Sequence, residues 1–328
     1  MATPAILSRA ATSFGFDVNA LFFISNSTNE VYRFTKHNES FILRLSEKPP
    51  AHAATIMAEL DWLSYLARNG VRVSLPIRTV DNELTAIYEG KETCFIATAF
   101  SLAPGRFFDK DDPLLWGPGI FREWGETMGK MHLHSKSYIP SDKVGKRADW
   151  SRLKTDNPCL RQGKYLALLQ KLMELENRIE SLPRDRNSYG LIHHDFHPYN
   201  FHISKDGVTV FDFDDSIYGW FSLDIAIAAA HAVWWGSPNE ERASKNEFAR
   251  MFLDVFLEGY FKHNHLDRDW IQRIPMFMEY RNICSFFWWL DPWDGDESKL
   301  SAFQKSAVSK AVHFIENGLS FDGCGIRL

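Results

Sequence analysis

The stretch LIHHDFHPYNFHISKDGVTVFDFDD, residues 191–215, decides the fold. Leu191 and Ile192 enter as a strand, and Pro198 forbids a regular helix or central strand through the loop they lead into. Beyond this loop, Phe201-His202-Ile203 and Val208-Thr209-Val210-Phe211 read as the two arms of a hairpin turning at Lys205-Asp206-Gly207. The loop therefore presents Asp195 and Asn200, and the hairpin returns Asp212 beside them. Asp and Asn also favour turns, so one alone would carry little. Two carboxylates and an amide oxygen converging in this way suit a hard divalent ion plus a base for a hydroxyl proton.

Upstream of the island the signals are those of strands. Residues 20–26 and 30–36 flank a short polar turn, and 40–46 alternates as a strand does. A helical pattern over 51–68 closes at Asn69-Gly70, and strand-like runs follow near 75–80, 84–89 and 93–100, with turns at Asp81-Asn82 and Glu89-Gly90. Pro104-Gly105 marks a break. Helical patterns then dominate, at about 118–136, 160–181, 222–235, 240–262, 267–291 and 297–317. This predicts an α+β chain in two parts: a small, mainly antiparallel sheet lobe over 1–104, with a hinge near 98–104, and a larger helical lobe over 105–328.

Composition sets the outer limits. The net charge of -5 argues against a general nucleic-acid binder, which would show a basic face. No apolar run reaches the length that spans a membrane, and Thr3-Pro4 reads as the start of a helix rather than of a signal peptide. The four cysteines lie far apart without a paired motif, as in a chain with reduced thiols. A soluble, cytoplasmic protein is expected, with neither a membrane nor a nucleic acid as partner.

Phosphoryl transfer needs the groups that the island supplies, because its catalysis is mostly positioning and neutralisation of phosphate charge, with a carboxylate to take the nucleophile's proton. The spacing His193-x-Asp195-x-x-x-x-Asn200, followed by Asp212-Phe213-Asp214, matches the catalytic loop and metal-binding aspartate of kinases. His194-Asp195 also has the look of a phosphohydrolase dyad, but such a dyad sits on helices, and Pro198 between strands speaks against it.

On these residues the chain resembles the aminoglycoside phosphotransferase and choline kinase superfamily, relatives of protein kinases that act on small molecules. The resemblance implies a bilobal protein-kinase-like fold, ATP and Mg2+ as cofactors, and phosphorylation of a hydroxyl on a small molecule. Asp195 would be the base, Asn200 and Asp212 the metal ligands, His193 and Asp224 the braces of the catalytic loop. Asp214 and Asp215 would touch substrate or a second metal. In the amino-terminal part, Arg44 stands where the family has a lysine that contacts nucleotide phosphates, with Glu59 as its helix partner. Ser25, Asn26, Ser27, Thr28 and Asn29 take the place of the glycine-rich loop, and Thr98 and Phe100 lie on the strand that meets adenine.

The acceptor is left open among aminoglycosides, choline or ethanolamine, homoserine-like amino alcohols and sugars. The acids Asp195, Asp212, Asp214 and Asp215, with aromatics at Trp220, Phe221, Trp234, Trp235, 286–289 and Trp293, suggest a wall that holds an ammonium. An atypical protein kinase and a non-catalytic nucleotide-binding module stand as alternatives. Only nine residues separate Asp214 from Asp224, and that leaves little room for a peptide-binding segment.

Overall fold

The computed structural model describes residues 1–89, 93–142 and 144–328. Two compact units make up the chain, and neither is continuous in sequence. One comprises Met1–Phe107, Ser137–Ala148 and Asn200–Ser216; the other Phe108–Lys136, Asp149–Tyr199 and Ile217–Leu328.

The first unit opens with helix α1 (Pro4–Phe14), whose Thr3 side chain accepts the Ile6 N–H, with proline in the first turn where its missing N–H costs nothing. Strands β1 (Phe22–Asn26), β2 (Glu30–Lys36), β3 (Glu39–Lys48), β4 (Pro76–Ile77), β5 (Ala86–Glu89) and β6 (Cys94–Ser101) form one antiparallel sheet, and α2 (His52–Arg68) follows β3. Strand β6 lies inside this sheet, with β3 on one side and β5 and β4 on the other. Period-two alternation sends Tyr32, Phe34, Leu43 and Leu45 into a core with Ala10 and Phe14 of α1. Arg44, between two core leucines, therefore points to the opposite face. Asn82 of the first expected turn adopts a left-handed backbone, while Gly90 of the second lies outside the described residues.

The hairpin expected in the island is present in the same unit as β8 (Phe201–Ser204) and β9 (Gly207–Val210), turning at Gly207 with φ 108°. A parallel bridge joins Val210 to Val73, and an antiparallel one joins Ile203 to Arg106. Asp212 thus emerges two residues past a pinned strand end.

The second unit contains α3 (Pro118–Ser135), α4 (Gly163–Glu180), β7 (Tyr189–Ile192), β10 (Ile217–Trp220), α5 (Phe221–Gly236), α6 (Arg242–Tyr260), α7 (Arg268–Ile271), α8 (Ile274–Leu290) and α9 (Ala302–Glu316). The pairing of β10 with β7 has no counterpart in the sequence reading. The helix expected over 267–291 is broken at Gln272 and Arg273, because Pro275 is tolerated only in a first turn. Helix α9 starts later than expected, since Ser301 and Gln304 close a reciprocal capping box.

Helices α3 and α6 meet along a seam of glycines. A Cβ on Gly125 would lie 1.9 Å from the Phe256 carbonyl oxygen, one on Gly129 2.5 Å from that of Tyr260, and one on Gly259 1.9 Å from that of Arg122. No other residue permits this approach. No described helix is long and apolar enough to cross a membrane.

Candidate active site

The chain passes from one unit to the other between Tyr199 and Asn200, so the catalytic-loop motif contributes to both. In the second unit, Asp195 follows β7 directly. Its Oδ1 accepts from Arg281 Nη2 at 2.5 Å and its Oδ2 lies 3.2 Å from His197 Nε2. Burial alone would push this carboxyl up, but the hydrogen bond from His197 and the charge of Arg281 outweigh it and hold the group below the usual carboxylate range. Asp195 is therefore an anion at neutral pH, and its side chain remains 19% exposed.

Around Asp195 the loop is tied down from beneath. His194 takes a left-handed backbone, φ 67°, at a cost of about 1–3 kcal/mol. Asp224, in the first turn of α5 and fully buried, compensates by accepting the backbone N–H of His193 at 3.1 Å and of His194 at 2.8 Å. Its Oδ2 also takes His132 Nε2 at 3.0 Å. His132 Nδ1 is 2.9 Å from the Tyr260 hydroxyl, which in turn accepts from Asn264 Nδ2 at 2.7 Å. Asp224 can only accept and Asn264 Nδ2 can only donate, so His132 donates through Nε2 and accepts the Tyr260 hydroxyl proton at Nδ1. His193 is buried, stacks on Phe196 and accepts the Asp195 N–H through Nδ1 at 3.3 Å.

The first unit holds the acidic and basic groups expected of a nucleotide site. Arg44 forms a two-pronged pair with Glu59 of α2, at 2.9 and 2.7 Å, and both side chains are buried. The same guanidinium lies 4.0 Å from Asp212 Oδ1 and 5.1 Å over the Phe100 ring. Thr98 pairs with Arg44 across the ladder and is wholly buried. Asn200 is buried, and its carbonyl accepts the Phe211 N–H at 3.0 Å, which brings it within one residue of Asp212. Asp212 has φ 64°, and its side chain is half-exposed, with Oδ1 turned toward Arg44. Loss of solvent and then the charge of Asp214 push that carboxyl well above its ordinary range.

A family model for the phosphotransferase enzyme family matches residues 20–270. The chain belongs to that family. Over 288 residues the phosphotransferase is 31% identical to the amicoumacin kinase of Bacillus subtilis (strain 168), spanning 86% of this chain and 83% of that one. It is also similar to the solved amicoumacin kinase hAmiN in complex with AMP-PNP, Ca2+ and Ami, with TM-score 0.86, 28% identity and 97% and 94% of the two chains covered. At 21% identity, a microcompartment-associated aminopropanol kinase shares the fold, with TM-score 0.76 over 98% of this chain and 99% of that one. The phosphotransferase is thus a small-molecule kinase with a hydroxyl acceptor, on a protein-kinase-like α+β fold.

Several of its site contacts were not foreseen in the sequence. Asn29, expected in the place of the glycine-rich loop, donates to Asp214 Oδ2 at 2.8 Å and accepts from Ser46 at 2.6 Å, so its side chain is committed within the protein. Ser25 and Asn26 belong to β1, and Ser27 and Thr28 make the turn. Arg147 donates to the carbonyls of Ser216 at 2.7 Å, Thr55 at 3.2 Å and Asp214, fastening the segment after Asp212 to α2. Asp215 is exposed on that segment. Arg147 and Arg281 had no local signal: the first lies 67 residues from Asp214 and the second 86 from Asp195.

Four of the nine aromatics in the expected wall are core. Trp220, Phe221 and Phe287 are buried, as is Trp293. Trp235 stacks on His231, and only Trp288 of the run 286–289 is widely exposed. The cation on Trp288 is the protein's own Arg281, 4.3 Å from the ring centre.

Proposed function

We propose that this phosphotransferase transfers the γ-phosphate of ATP, with Mg2+, to a hydroxyl of an amine-bearing small molecule, and that amicoumacin is the first acceptor to test. The observation that carries the mechanism is Asp195: an accessible carboxylate, ionised, on a loop whose backbone is fixed. The acceptor's O–H donates to Asp195, its oxygen bonds the γ-phosphorus, the bond to the bridging oxygen breaks, and ADP leaves. A loose transition state asks little proton-withdrawing strength of the base, so a carboxyl of low pKa is adequate.

Among the described residues no three His, Cys, Asp or Glu side chains cage a metal. The donor set suits magnesium, which uses one or two carboxylates together with substrate phosphates and water. Asp212 and Asn200 would hold it, Asp214 or Asp215 would assist, and it would neutralise charge on the phosphates. Arg44, steadied by Glu59, keeps N–H groups beyond the two spent on Glu59 for the phosphates. Residues 1–104 would form the nucleotide lobe and 105–328 the catalytic and acceptor lobe.

Amicoumacin as acceptor rests on the Bacillus subtilis relative and on the hAmiN complex. The test is ATP consumption across amicoumacin, amino alcohols, aminoglycosides and sugars, each amine paired with an uncharged counterpart that keeps the hydroxyl and lacks the amine. Turnover of amines that is lost in Asp195→Asn, with nucleotide binding retained, is the expected result. Equal Michaelis constants for the paired compounds would remove the amine from the proposal, and a fully active Asp195→Asn would remove the base.

A further inference from the structure

Arg281 is 5% exposed, and its guanidinium is fixed on three sides. Nη2 donates to Asp195 Oδ1 and lies 3.4 Å from His231 Nε2, while the flat group stands over Trp288. The orientation of His231 follows from its other nitrogen. Nδ1 is 2.9 Å from the Ile227 carbonyl, which only a donor can satisfy, so Nε2 turns its lone pair to Arg281. On the far side of the carboxylate, His197 Nδ1 accepts the Tyr199 N–H at 3.1 Å, and this leaves Nε2–H to donate to Asp195 Oδ2. Both oxygens of the base are held by donors whose own directions are set.

We propose that Arg281 is a positioning residue for phosphoryl transfer: it fixes the rotamer of Asp195, and Trp288 with His231 hold it in place to do so. The proposal rests on Asp195 being the base. An aspartate on a loop has a broad χ2 well, and rotation there swings its lone pairs away from the acceptor hydroxyl. A displacement of about 1 Å at the reacting atoms is enough to cost about 100-fold in rate. Arginine suits the task because its planar group stacks on a ring and keeps its charge at every working pH. Arg281 neither gives nor takes a proton in the step. It differs from an ordinary buried ion pair in that its partner is an accessible carboxylate in the catalytic-loop motif.

The test uses the full chain carrying Arg281→Met, Arg281→Lys or Trp288→Ala. Arg281→Met should lower kcat about 100-fold while the Michaelis constant for ATP stays within about twofold, and Arg281→Lys should recover about a tenth of the wild-type rate. Unchanged kcat in folded Arg281→Met overturns the proposal, as does a loss expressed only in the ATP constant. Where Arg281→Met does not fold, Trp288→Ala on its half-exposed ring replaces it, with about a tenfold loss in kcat expected and no loss overturning the idea. Side-chain 15N spectra of the arginines give a reading that needs no acceptor. Asp195→Asn should shift the Arg281 Nη–H signals, and unmoved signals overturn the contact. If wild type turns over no acceptor, the functional reading fails and takes the positioning role with it, while the spectra still decide the contact between Arg281 and Asp195.

Discussion

His132 donates through Nε2 to Asp224 Oδ2 at 3.0 Å, and neither side chain has any exposed surface. Burial pushes His132 below its ordinary pKa, and burial with the charge of Arg281 pushes His231 well below. Both are neutral when folded, whereas an unfolded histidine titrates near about 6.5. Just below that pH the unfolded chain binds more protons, so the stability they confer is full above about pH 6.5 and is lost as pH falls through and below it. Urea unfolding at stepped pH should show a loss approaching about 1.4 kcal/mol per pH unit for each histidine. His231→Gln should remove about half of that slope. Asp224, held below the usual carboxylate range against its burial by His132, adds stability that is lost only at still lower pH, below about 3.9. A flat profile between neutral and mildly acid pH would contradict the neutral assignment.

For Asp212 the sign of the pH effect is opposite in origin but similar in direction. Its carboxyl is pushed up, so protons compete there with a divalent cation, and Mg-ATP affinity should weaken as the medium becomes acid. Asp212→Ala should weaken Mg-ATP binding and leave metal-free ATP binding unchanged or tighter, because a charge repelling the phosphates is gone. Calorimetry with and without Mg2+ separates the two. Equal losses in both would take Asp212 off the metal.

Arg44 and Glu59 form a closed buried pair, and removing either partner strands the other. Each single alanine variant should lose about 3–5 kcal/mol of stability, and the double variant less than the sum. Arg44→Ala should also raise the Michaelis constant for ATP about tenfold or more, given about 1.5–3 kcal/mol for a hydrogen bond to a charged group. Glu59→Ala should raise it less. An unchanged ATP constant in folded Arg44→Ala would reduce the pair to a structural role.

Arg147 is the simplest case, because its three acceptors are all main-chain carbonyls. Arg147→Ala should cost about 3 kcal/mol in urea unfolding and raise the Mg2+ concentration needed for half-maximal turnover, by loosening Asp214. Arg147→Lys should recover part of both. Altered stability with an unaltered Mg2+ requirement would limit Arg147 to a structural role.

How far the sequence foretells this arrangement depends on the range of each interaction. Strands β1 to β3, the hairpin at Gly207 and the helix capped by Thr3 follow from local alternation and turn chemistry, and they are where the residues indicate. Asp195, Asn200 and Asp212 were legible because their spacing lies within one short island. Arg281 was not: the contact joins positions 86 apart, and an arginine in an apolar helix looks like any other until His231 and Trp288 meet it. The count of acids around the loop missed Arg281 for the same reason, since it read acids that are near in sequence and not a cation that is near in space. Strand β10 went unseen because four residues before a strongly apolar helix carry too little pattern of their own.

The glycine seam between α3 and α6 reaches further than packing. Gly129 lies three positions before His132, and Gly259 is next to Tyr260, so the closeness of the two helices sets the span across which the tyrosine hydroxyl meets the imidazole. Every amino-acid replacement that a single nucleotide change makes at a glycine codon introduces a Cβ. In a population of cells carrying this gene, random mutation would therefore silence the kinase through codons 125, 129 and 259, with every catalytic side chain still encoded. Sequencing spontaneous loss-of-function isolates should find those codons hit as often as Asp195 itself.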